Sequence, residues 1–348
     1  MTLRNFIDHV MEQLAPLYPP QECKAMAVRM LKEMLAGYKG YEHMVEPATE
    51  LDTFQLEERS RKDVCGEEQS AQEENPAEMQ PSQQHPGTEK YLLSCVERLA
   101  TGESLQYVMG FEWFCGHKFN VAPGVLIPRP ETEELVCKAI GFTESAQQSV
   151  AGELQRQSAT PLRILDICTG SGCIAWSMAA AVAQAEVYAC DISQQALETA
   201  KGQPIHCADG TPAKVKFLEC DILGEDAQQK IAQACGEGEF NLIISNPPYV
   251  CECEKSQMRE NVLNHEPHLA LFVPDNDPLK FYRAIAQLSG RILAPGGALM
   301  FEINERFGAE TAQMMQQMGY ANCQVLQDLF GKDRMVVGVV SREPRGME

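Results

Sequence analysis

The segment Arg163–Cys173, R-I-L-D-I-C-T-G-S-G-C, decides the fold class of this 348-residue chain. Its first residues are mostly apolar and predict a buried β-strand over Arg163–Ile167. The glycine-containing loop that follows leads into an apolar stretch, which predicts a helix over Cys173–Ala183. A strand, a glycine-rich turn and a helix in this order are typical of the cofactor-binding turn of an open α/β sheet.

The glycine spacing narrows the class of ligand. Gly170, Gly172 and Ala175 satisfy the pattern G-x-G-x-x-A, and Asp191 lies about 20 residues farther on. Glycines let the backbone approach a cofactor closely, and a carboxylate after the next strand accepts two ribose hydroxyls. A glycine-rich turn without a ligand is one alternative. Among cofactors, an NAD-type dinucleotide and S-adenosylmethionine both fit.

Asp166 bears on the choice between these two cofactors. A dinucleotide places its pyrophosphate at the helix N-terminus, where a carboxylate just upstream is a poor neighbour. S-adenosylmethionine has no phosphate and carries an ammonium group, which Asp166 can bind directly or through water. Asp166 therefore favours S-adenosylmethionine and leaves the dinucleotide open.

Strands and helices alternate on either side of the glycine loop. The predicted strands are Arg163–Ile167, Glu186–Cys190, Lys214–Glu219, Asn241–Ser245, Ala298–Ile303 and Arg334–Val340. The predicted helices are Cys173–Ala183, Gln194–Lys201, Pro278–Leu293 and Ala309–Met318. Apolar strands that alternate with helices predict a mostly parallel sheet with helices on both faces.

The amino-terminal third has a different character. Apolar residues at helical spacing predict helices within the first ~40 residues and again after residue 89, so residues 1–104 are predicted to form a helical domain. Residues 46–89 are acidic and poor in large apolar side chains, which predicts a disordered insertion. Residues 105–130 are predicted to be a β-hairpin or connector, and residues 131–348 the main domain. The polar stretch 143–160 is predicted to be a loop.

A second motif, Asn246–Tyr249 (N-P-P-Y), directly follows the apolar strand that ends at Ser245. Consecutive prolines do not belong in a sheet interior, so the motif lies beyond the strand's carboxyl end, where open α/β sheets bind ligands. An amide or exocyclic amine is a weak nucleophile because its lone pair is delocalised. The Asn246 side-chain oxygen and the Pro247 carbonyl can accept its hydrogens and direct the lone pair to an electrophilic methyl, while Tyr249 offers a flat face. This order of motifs predicts an N-methyltransferase.

The charge of the chain disfavours nucleic acid as a partner. Lys and Arg number 29 against 49 Asp and Glu, a formal net charge of −20. Residues 46–89 hold 12 acidic and 3 basic residues, about −9, so the remainder is still about −11. Binding to phosphate backbones usually requires a basic surface. We therefore expect no stable nucleic-acid partner.

The cysteines and the amino terminus indicate a cytoplasmic protein. The 14 cysteines show no C-x-x-C pair, and Cys251 and Cys253, with His265 and His268 downstream, are better explained as incidental thiols than as a metal site. No signal peptide or apolar run of membrane-spanning length is recognisable. We expect no bound metal, no membrane association and a monomer.

Several further motifs follow one another in a fixed order. They are L-I-P-R-P-E-T-E at 126–133, D-x-x-T-G-S-G at 166–172, D-I-S at 191–193, S-N-P-P-Y-V at 245–250, E-P-H-L-A-L at 266–271 and D-L-F-G-K-D-R at 328–334. Over residues 88–340 this set resembles the peptide chain release factor glutamine N5-methyltransferase family. N-P-P-Y alone also fits nucleic-acid amino-methyltransferases, and the first and fifth motifs narrow the resemblance to the glutamine enzymes.

The resemblance implies a fold, a reaction and a site. The fold is an α/β, Rossmann-like S-adenosylmethionine-dependent methyltransferase with a mostly parallel seven-stranded sheet and a small N-terminal helical domain that binds the substrate. The methyl group goes from S-adenosyl-L-methionine to the glutamine of the Gly-Gly-Gln motif in class I peptide chain release factors. The implied cofactor residues are Asp166, Cys168, Thr169, Gly170, Ser171, Gly172, Asp191, Asp221, Ile222 and Asn246. The implied catalytic and substrate-binding residues are Asn246, Pro247, Pro248 and Tyr249, with Pro128, Arg129 and Pro130 as a wall between cofactor and substrate.

This chain departs from the family pattern at several positions. Cys168 replaces the usual glycine, which is tolerable if its φ is negative. Asn304 replaces the glycine of the usual E-I-G, and Lys201–Pro204 replaces the usual Asn-Ala. Three alternatives are weighed: an amino-methyltransferase acting on a DNA or RNA base, a release-factor-binding module without activity, and a nicotinamide dehydrogenase. The net charge opposes the first, the intact Asp191 and Asn246 oppose the second, and N-P-P-Y is unexplained by the third.

Overall fold

The computed structural model describes residues 3–35, 88–153, 161–236 and 238–341. The helices are α1 (Leu3–Leu14), α2 (Pro20–Leu35), α3 (Thr88–Leu99), α4 (Leu105–Met109), α5 (Pro130–Glu153), α6 (Cys173–Ala181), α7 (Gln194–Lys201), α8 (Ala227–Cys235), α9 (Glu260–His265), α10 (His268–Leu271), α11 (Lys280–Ile292) and α12 (Gly308–Gln317). The strands are β1 (Phe111–Phe114), β2 (His117–Asn120), β3 (Arg163–Ile167), β4 (Glu186–Asp191), β5 (Val215–Glu219), β6 (Phe240–Ser245), β7 (Val250–Cys251), β8 (Phe272–Val273), β9 (Leu293–Glu302), β10 (Tyr320–Gln327) and β11 (Asp333–Val340).

The chain divides into two compact units. The helical unit is Met1–Gly110 with Glu260–His265, and the sheet unit is Phe111–Arg259 with Glu266–Glu348. The division falls after Gly110 rather than after residue 104, since Leu105–Met109 forms α4 and buries Leu105 and Val108 in the helical core. The hairpin predicted within residues 105–130 is present as β1 and β2, and it begins only at Phe111.

The helical unit is held together by one apolar cluster. Phe6, Val10 and Leu14 recur at helical spacing on α1 and are fully buried against apolar residues of α2 and α3. The predicted acidic insertion, residues 46–89, lies outside the described residues except for its last two, Thr88 and Glu89, with which α3 begins.

A seven-stranded sheet forms the centre of the sheet unit, in the order β10-β11-β9-β6-β3-β4-β5. The strands from β9 to β5 pair in parallel, whereas β11 pairs antiparallel with both β9 and β10. This confirms the predicted fold class. Strand order reverses between β3 and β6, and at such a switch point the carboxyl ends of adjacent strands leave a crevice.

Both faces of this sheet are covered by helices. Alternate residues of β3 point to opposite faces, so that Ile164 joins one apolar core and Leu165 and Ile167 join another. Helices α5 and α6 pack on the first face, and α8, α11 and α12 pack on the second. Two buried faces explain why the parallel strands read as continuous apolar runs.

Two predictions about local structure are wrong. The stretch 143–160 was predicted to be a loop, yet α5 continues to Glu153, in keeping with the helix propensity of its Ala, Gln and Glu residues; residues 154–160 lie outside the described part. No strand was predicted at β10, because half of the residues of this edge strand are exposed and its pairing with β11 contains irregularities. Among the described residues, no helix is long and apolar enough to cross a membrane.

The buried hydroxyl of Thr311 generates a stability prediction. Thr311 on α12 is fully buried, and its Oγ1 has no hydrogen-bond partner among the described residues. Thr311→Val removes a buried polar group that is unsatisfied, so we expect the free energy of unfolding to rise by about 1 kcal/mol. Trp113 and Trp176 both lie in the sheet unit, so tryptophan fluorescence during urea unfolding measures the change.

Thr143→Val is the matched control. The Thr143 hydroxyl is buried as well, but it donates to the carbonyl of Ile140 at 2.7 Å. Loss of this bond is expected to lower stability. Equal destabilisation by both substitutions would contradict the assignment of Thr311 as unsatisfied.

Candidate functional site

A cavity of about 310 Å³ lies in the sheet unit at the carboxyl ends of β3, β4, β5 and β6. Its lining comes from six parts of the chain: Gly124–Leu126, the end of β3 with its loop, the end of β4 with its loop, Cys220–Leu223, Asn246 with Pro248, and the stretch 267–281. It therefore occupies the crevice expected at the switch point between β3 and β6.

The cavity brings together some of the predicted site residues and not others. Those that line it are Cys168, Gly170, Asp191, Asp221, Ile222, Asn246 and Pro248. Those that do not are Asp166, Thr169, Ser171, Gly172, Pro247, Tyr249, Pro128, Arg129 and Pro130. Phe111 and Phe114 of the β1–β2 hairpin are buried and do not line the cavity.

The glycine loop after β3 needs its glycines. Gly170 and Gly172 have φ of 55° and 80°, in the left-handed region that favours glycine. A Cβ on Gly172 would also lie 3.0 Å from both Ala200 and Trp176. The loop is tied to β4 by Asp191, whose Oδ2 accepts from the Gly170 amide and whose Oδ1 accepts from the Ser193 amide, both at 2.9 Å.

Asp166 is a fully buried carboxyl at the end of β3. Its Oδ2 accepts hydrogen bonds from the Thr169 hydroxyl and, at 3.2 Å, from the Ala175 amide. Its Oδ1 is buried and has no partner within the described part of the chain. Burial raises the pKa of Asp166 to about 7, against the lowering effect of the bond from Thr169.

Cys168 adopts a φ of 61°, so the negative φ at which a cysteine would be tolerated here is not observed. The loop keeps the left-handed backbone that a glycine accepts without strain, and the cysteine Cβ is strained against the following carbonyl. Burial, first of all, and the neighbouring carboxyl of Asp191 raise the pKa of the Cys168 thiol well above its usual value. The thiol is therefore neutral near pH 7.

Asn246 is held by a buried hydrogen-bonded chain. Its Nδ2 donates to Thr132 Oγ1 at 3.1 Å, and Thr132 Oγ1 donates to Glu302 Oε2 at 2.6 Å. The other carboxylate oxygen of Glu302 accepts from the Tyr249 hydroxyl at 2.9 Å. Tyr249 thus has its hydroxyl engaged away from the cavity, and its predicted part as a flat face for a substrate stays a prediction.

The side chain of Asn304 is hydrogen-bonded to the backbone of the N-P-P-Y segment. Its Nδ2 donates to the Tyr249 carbonyl at 3.2 Å and to Glu254 Oε2 at 2.9 Å, and its Oδ1 accepts from the Arg306 amide at 3.0 Å. The asparagine in place of the glycine of E-I-G therefore adds hydrogen bonds to Tyr249 and Glu254 that the sequence pattern did not suggest.

Arg129 is bonded to Glu266, which belongs to a segment of the cavity wall. Its Nη2 lies 2.6 and 2.7 Å from the two carboxylate oxygens of Glu266, which is almost fully buried. Glu266 stands at the start of a segment in which Pro267, Leu269 and Ala270 line the cavity. Arg129 is thus placed to anchor this wall without lining the cavity.

The sequence missed other residues that shape the site. Two of them could have been found from the sequence. Thr132 lies inside the motif at 126–133, and Glu302 is a carboxylate at the end of an apolar strand. No pattern in the sequence indicated a role for Gln203. Its side-chain oxygen accepts from the Asn120 amide at 2.8 Å, and its side-chain nitrogen donates to the carbonyls of Asn120 and Ser171 at 2.9 and 3.2 Å. It links the β1–β2 hairpin to the glycine loop.

The described residues hold no group of three or more His, Cys, Asp or Glu that could bind a metal ion. Cys253 of the C-x-C pair is exposed, and its backbone amide donates to Asp275 Oδ1 at 2.9 Å.

Comparison with known proteins gives concordant relatives. A family profile described as "Methyltransferase small domain" matches residues 148–269. The release factor glutamine methyltransferase of Bacteroides thetaiotaomicron is 42% identical over 248 residues, which cover 71% of this chain and 80% of that protein. The protein of the same name from Flavobacterium psychrophilum is 41% identical over 69% of this chain and 76% of its own length. The solved release factor-specific protein-(glutamine-N5) methyltransferase of Alicyclobacillus acidocaldarius is 25% identical over 64% of this chain and 99% of that chain, with a TM-score of 0.36.

The strain at Cys168 predicts a stabilising substitution. Cys168→Gly removes the Cβ that is unfavourable at positive φ, and we expect it to raise the free energy of unfolding by about 1 kcal/mol. Cys168→Ala is the matched control, because it removes the thiol and keeps the Cβ. Urea unfolding followed by tryptophan fluorescence compares the two. A gain for the alanine variant equal to that of the glycine variant would assign the effect to the thiol instead.

The raised pKa of Asp166 predicts a pH dependence of stability. Between the ordinary pKa of 3.8 and the folded pKa of about 7, the folded state keeps a proton that the unfolded state has lost. This contribution to stability therefore falls as the pH rises through that range and is constant above it. Asp166→Asn cannot titrate, so from pH 5 to pH 8 we expect wild-type protein to lose about 2 kcal/mol more stability than the variant.

Asp209→Asn is the control for this measurement. Asp209 is exposed, and the Thr211 hydroxyl and amide lower the pKa of its carboxyl, so it is ionised at both pH 5 and pH 8. Its substitution is expected to leave the difference between the two pH values unchanged. Identical pH profiles for wild type and Asp166→Asn would show that Asp166 titrates normally in the folded protein.

Proposed function

Since the chain belongs to the release factor glutamine methyltransferase family, we propose that it methylates the side-chain amide nitrogen, N5, of the glutamine in the Gly-Gly-Gln motif of class I peptide chain release factors. The methyl donor in this proposal is S-adenosyl-L-methionine, and S-adenosyl-L-homocysteine is the product. One observation carries the proposal most directly: Asn246 borders the cavity beside the glycine loop, and its amide nitrogen donates to Thr132, which leaves its amide oxygen available as an acceptor.

The residues around the cavity fit this donor. Asp166 does not line the cavity itself, but its Oδ1 is a buried acceptor without a partner in the described ranges, and an ammonium group would satisfy it directly or through water. Asp191 keeps unused lone pairs on both oxygens, which suit vicinal ribose hydroxyls. Asp221 and Ile222 line the same cavity at the end of β5 and would lie near the adenine. When bound there, S-adenosylmethionine supplies an electrophilic methyl group on a sulfonium.

The protein's own contribution is to orient a weak nucleophile. In this proposal the Asn246 Oδ1 and the Pro247 carbonyl accept the two hydrogens of the substrate NH₂. Hydrogen bonds to both hydrogens oppose delocalisation of the lone pair into the carbonyl and aim it at the methyl group. The amide nitrogen can lose its extra proton after the methyl group has bonded to it, so no strongly basic side chain is needed. Pro247 and Pro248 are buried and restrict the loop, which keeps the acceptors in place.

The second candidate function is methylation of an amino group on a nucleic-acid base, for which N-P-P-Y is equally suitable. The charge argues against it: the net charge of −20 would repel a phosphate backbone. The two curated relatives described above are named for release factors, which supports a protein substrate. A cytoplasmic location and a monomeric state remain predictions.

A labelling experiment tests the proposal. Purified enzyme is incubated with methyl-labelled S-adenosylmethionine and, separately, with a recombinant class I release factor, with ribosomal RNA and with DNA. We expect label on the release factor, and none when the glutamine of its Gly-Gly-Gln motif is replaced by alanine. Label on either nucleic acid, with none on the release factor, would establish the second candidate instead.

Asn246→Ala is the variant that tests the mechanism in the same assay. It removes one of the two proposed acceptors, so turnover is expected to fall at least 100-fold. Because Asn246 is only one of many residues around the cavity, the affinity for S-adenosylmethionine, measured by calorimetry, is expected to stay within about tenfold. Undiminished methylation by this variant would exclude the proposed role of Asn246.

A further inference from the structure

The starting observation is the order of donors and acceptors between Glu302 and Asn246. Thr132 and Glu302 are 2% and 1% exposed, so neither exchanges its partner for water. The distances are 2.6 Å from Thr132 Oγ1 to Glu302 Oε2 and 3.1 Å from Asn246 Nδ2 to Thr132 Oγ1. All three residues belong to the sheet unit.

This order fixes the direction of each bond. Burial raises the pKa of the Glu302 carboxyl, whereas the bonds from the Thr132 and Tyr249 hydroxyls lower it. In its ionised form this carboxylate has only acceptors, and the hydroxyls of Thr132 and Tyr249 both donate to it. A threonine hydroxyl has a single hydrogen, and that of Thr132 is used by Glu302. Towards Asn246 it can therefore only accept, and the Asn246 side chain has to turn its NH₂ group to Thr132. Its carbonyl oxygen then points the other way.

The two ends of an asparagine amide have nearly the same shape and opposite hydrogen-bonding character. A flipped Asn246 would present NH₂ to the NH₂ group of the target glutamine, and two donors cannot bond to each other. The reaction thus needs one of two nearly isosteric orientations, and nothing in the shape of the pocket distinguishes them.

We propose that Thr132 and Glu302 are positioning residues that hold the Asn246 amide in the orientation that accepts from the substrate. The inference rests on the proposed function, since it names what makes the Asn246 oxygen available to a glutamine amide. Glu302 sets the direction of the chain and Thr132 relays it. Because the same carboxylate also holds the Tyr249 hydroxyl, Glu302 fixes both ends of N-P-P-Y.

Thr132→Val tests the relay, because valine keeps the shape of threonine without the hydroxyl. We expect kcat to fall about tenfold, the KM for S-adenosylmethionine to stay within twofold, and the melting temperature to change by only a few degrees. Thr132→Ser restores the hydroxyl and is expected to recover most of kcat. Thr311→Val is the matched control: it removes a buried hydroxyl that has no partner among the described residues, and it should leave kcat unchanged.

A second readout does not depend on activity. In protein labelled with ¹⁵N-asparagine, the side-chain NH₂ resonances of Asn246 are identified by their absence from Asn246→Ala. A bonded NH₂ exchanges slowly with water, and we expect exchange at least tenfold faster in Thr132→Val and near wild type in Thr132→Ser. If wild-type enzyme methylated no release factor, the proposed function would fail, while these exchange rates would still decide whether Thr132 holds the amide.

The part played by Glu302 is tested by combining substitutions. Glu302→Gln keeps the shape and replaces one acceptor oxygen by a donor, so the direction of the Thr132 hydroxyl is no longer imposed. Thr132→Val is therefore expected to cost a smaller factor in kcat in the Glu302→Gln background than in wild type. If the double variant loses kcat by the product of the two factors lost in the single variants, the role of Glu302 is overturned. Wild-type kcat and unchanged NH₂ exchange in Thr132→Val, or a serine variant as impaired as the valine variant, would overturn that of Thr132.

Discussion

The parallel pairing of β3 with β6 is the constraint on which the candidate site depends. In this register Ile167 lies opposite Ser245, so both strands end at the same level. The Ser245 hydroxyl donates to the Ile167 carbonyl at 2.6 Å and closes the pair at the last residue of each strand. Because one loop begins after each strand, this places the glycine loop and Asn246 on the same cavity. A two-residue slip would move them apart by about 7 Å, and a one-residue slip would turn every side chain of β6 to the opposite face.

Two local rules of stability are broken beside this cavity, as they also are at other positions of the described chain. Cys168 has a left-handed backbone without being glycine, and Asp166 buries a carboxyl oxygen that has no partner in the described residues. Each feature costs free energy in the protein alone. The function proposed above accounts for both, because it requires a loop that curves closely round a ligand and a buried acceptor that meets a cation. Glu302 is the contrasting case, because both of its oxygens accept hydroxyl hydrogens.

The sequence was sufficient for features that come from local patterns. The glycine spacing, the apolar β3 and β6 and the motif after Ser245 predicted the sheet and the neighbourhood of the two loops, because parallel strands end at a common edge. It was insufficient for β10, whose exposed edge position removes the apolar signal, and for the φ of Cys168, which the loop sets rather than the residue. The chain from Glu302 through Thr132 to Asn246 joins positions up to 170 residues apart, so no spacing in the sequence could indicate it.

The two departures from the family at Cys168 and Asn304 lie on opposite halves of the site and act in opposite senses. Cys168 adds strain to the loop after β3, whereas Asn304 adds hydrogen bonds beneath the segment after β6. The Asn304 bond ends at the Tyr249 carbonyl, and the Glu302 bond ends at the Tyr249 hydroxyl, so this residue is fixed through both its backbone and its side chain. Tyr249 is thereby a point of attachment for N-P-P-Y, and its rigidity limits the motion of the Pro247 carbonyl two residues before it. In the proposed function the loop after β3 holds the cofactor and the segment after β6 orients the nucleophile. Strain in the first need not disturb the second, because the second is anchored independently, at Asn246 by Thr132 and at Tyr249 by Glu302 and Asn304.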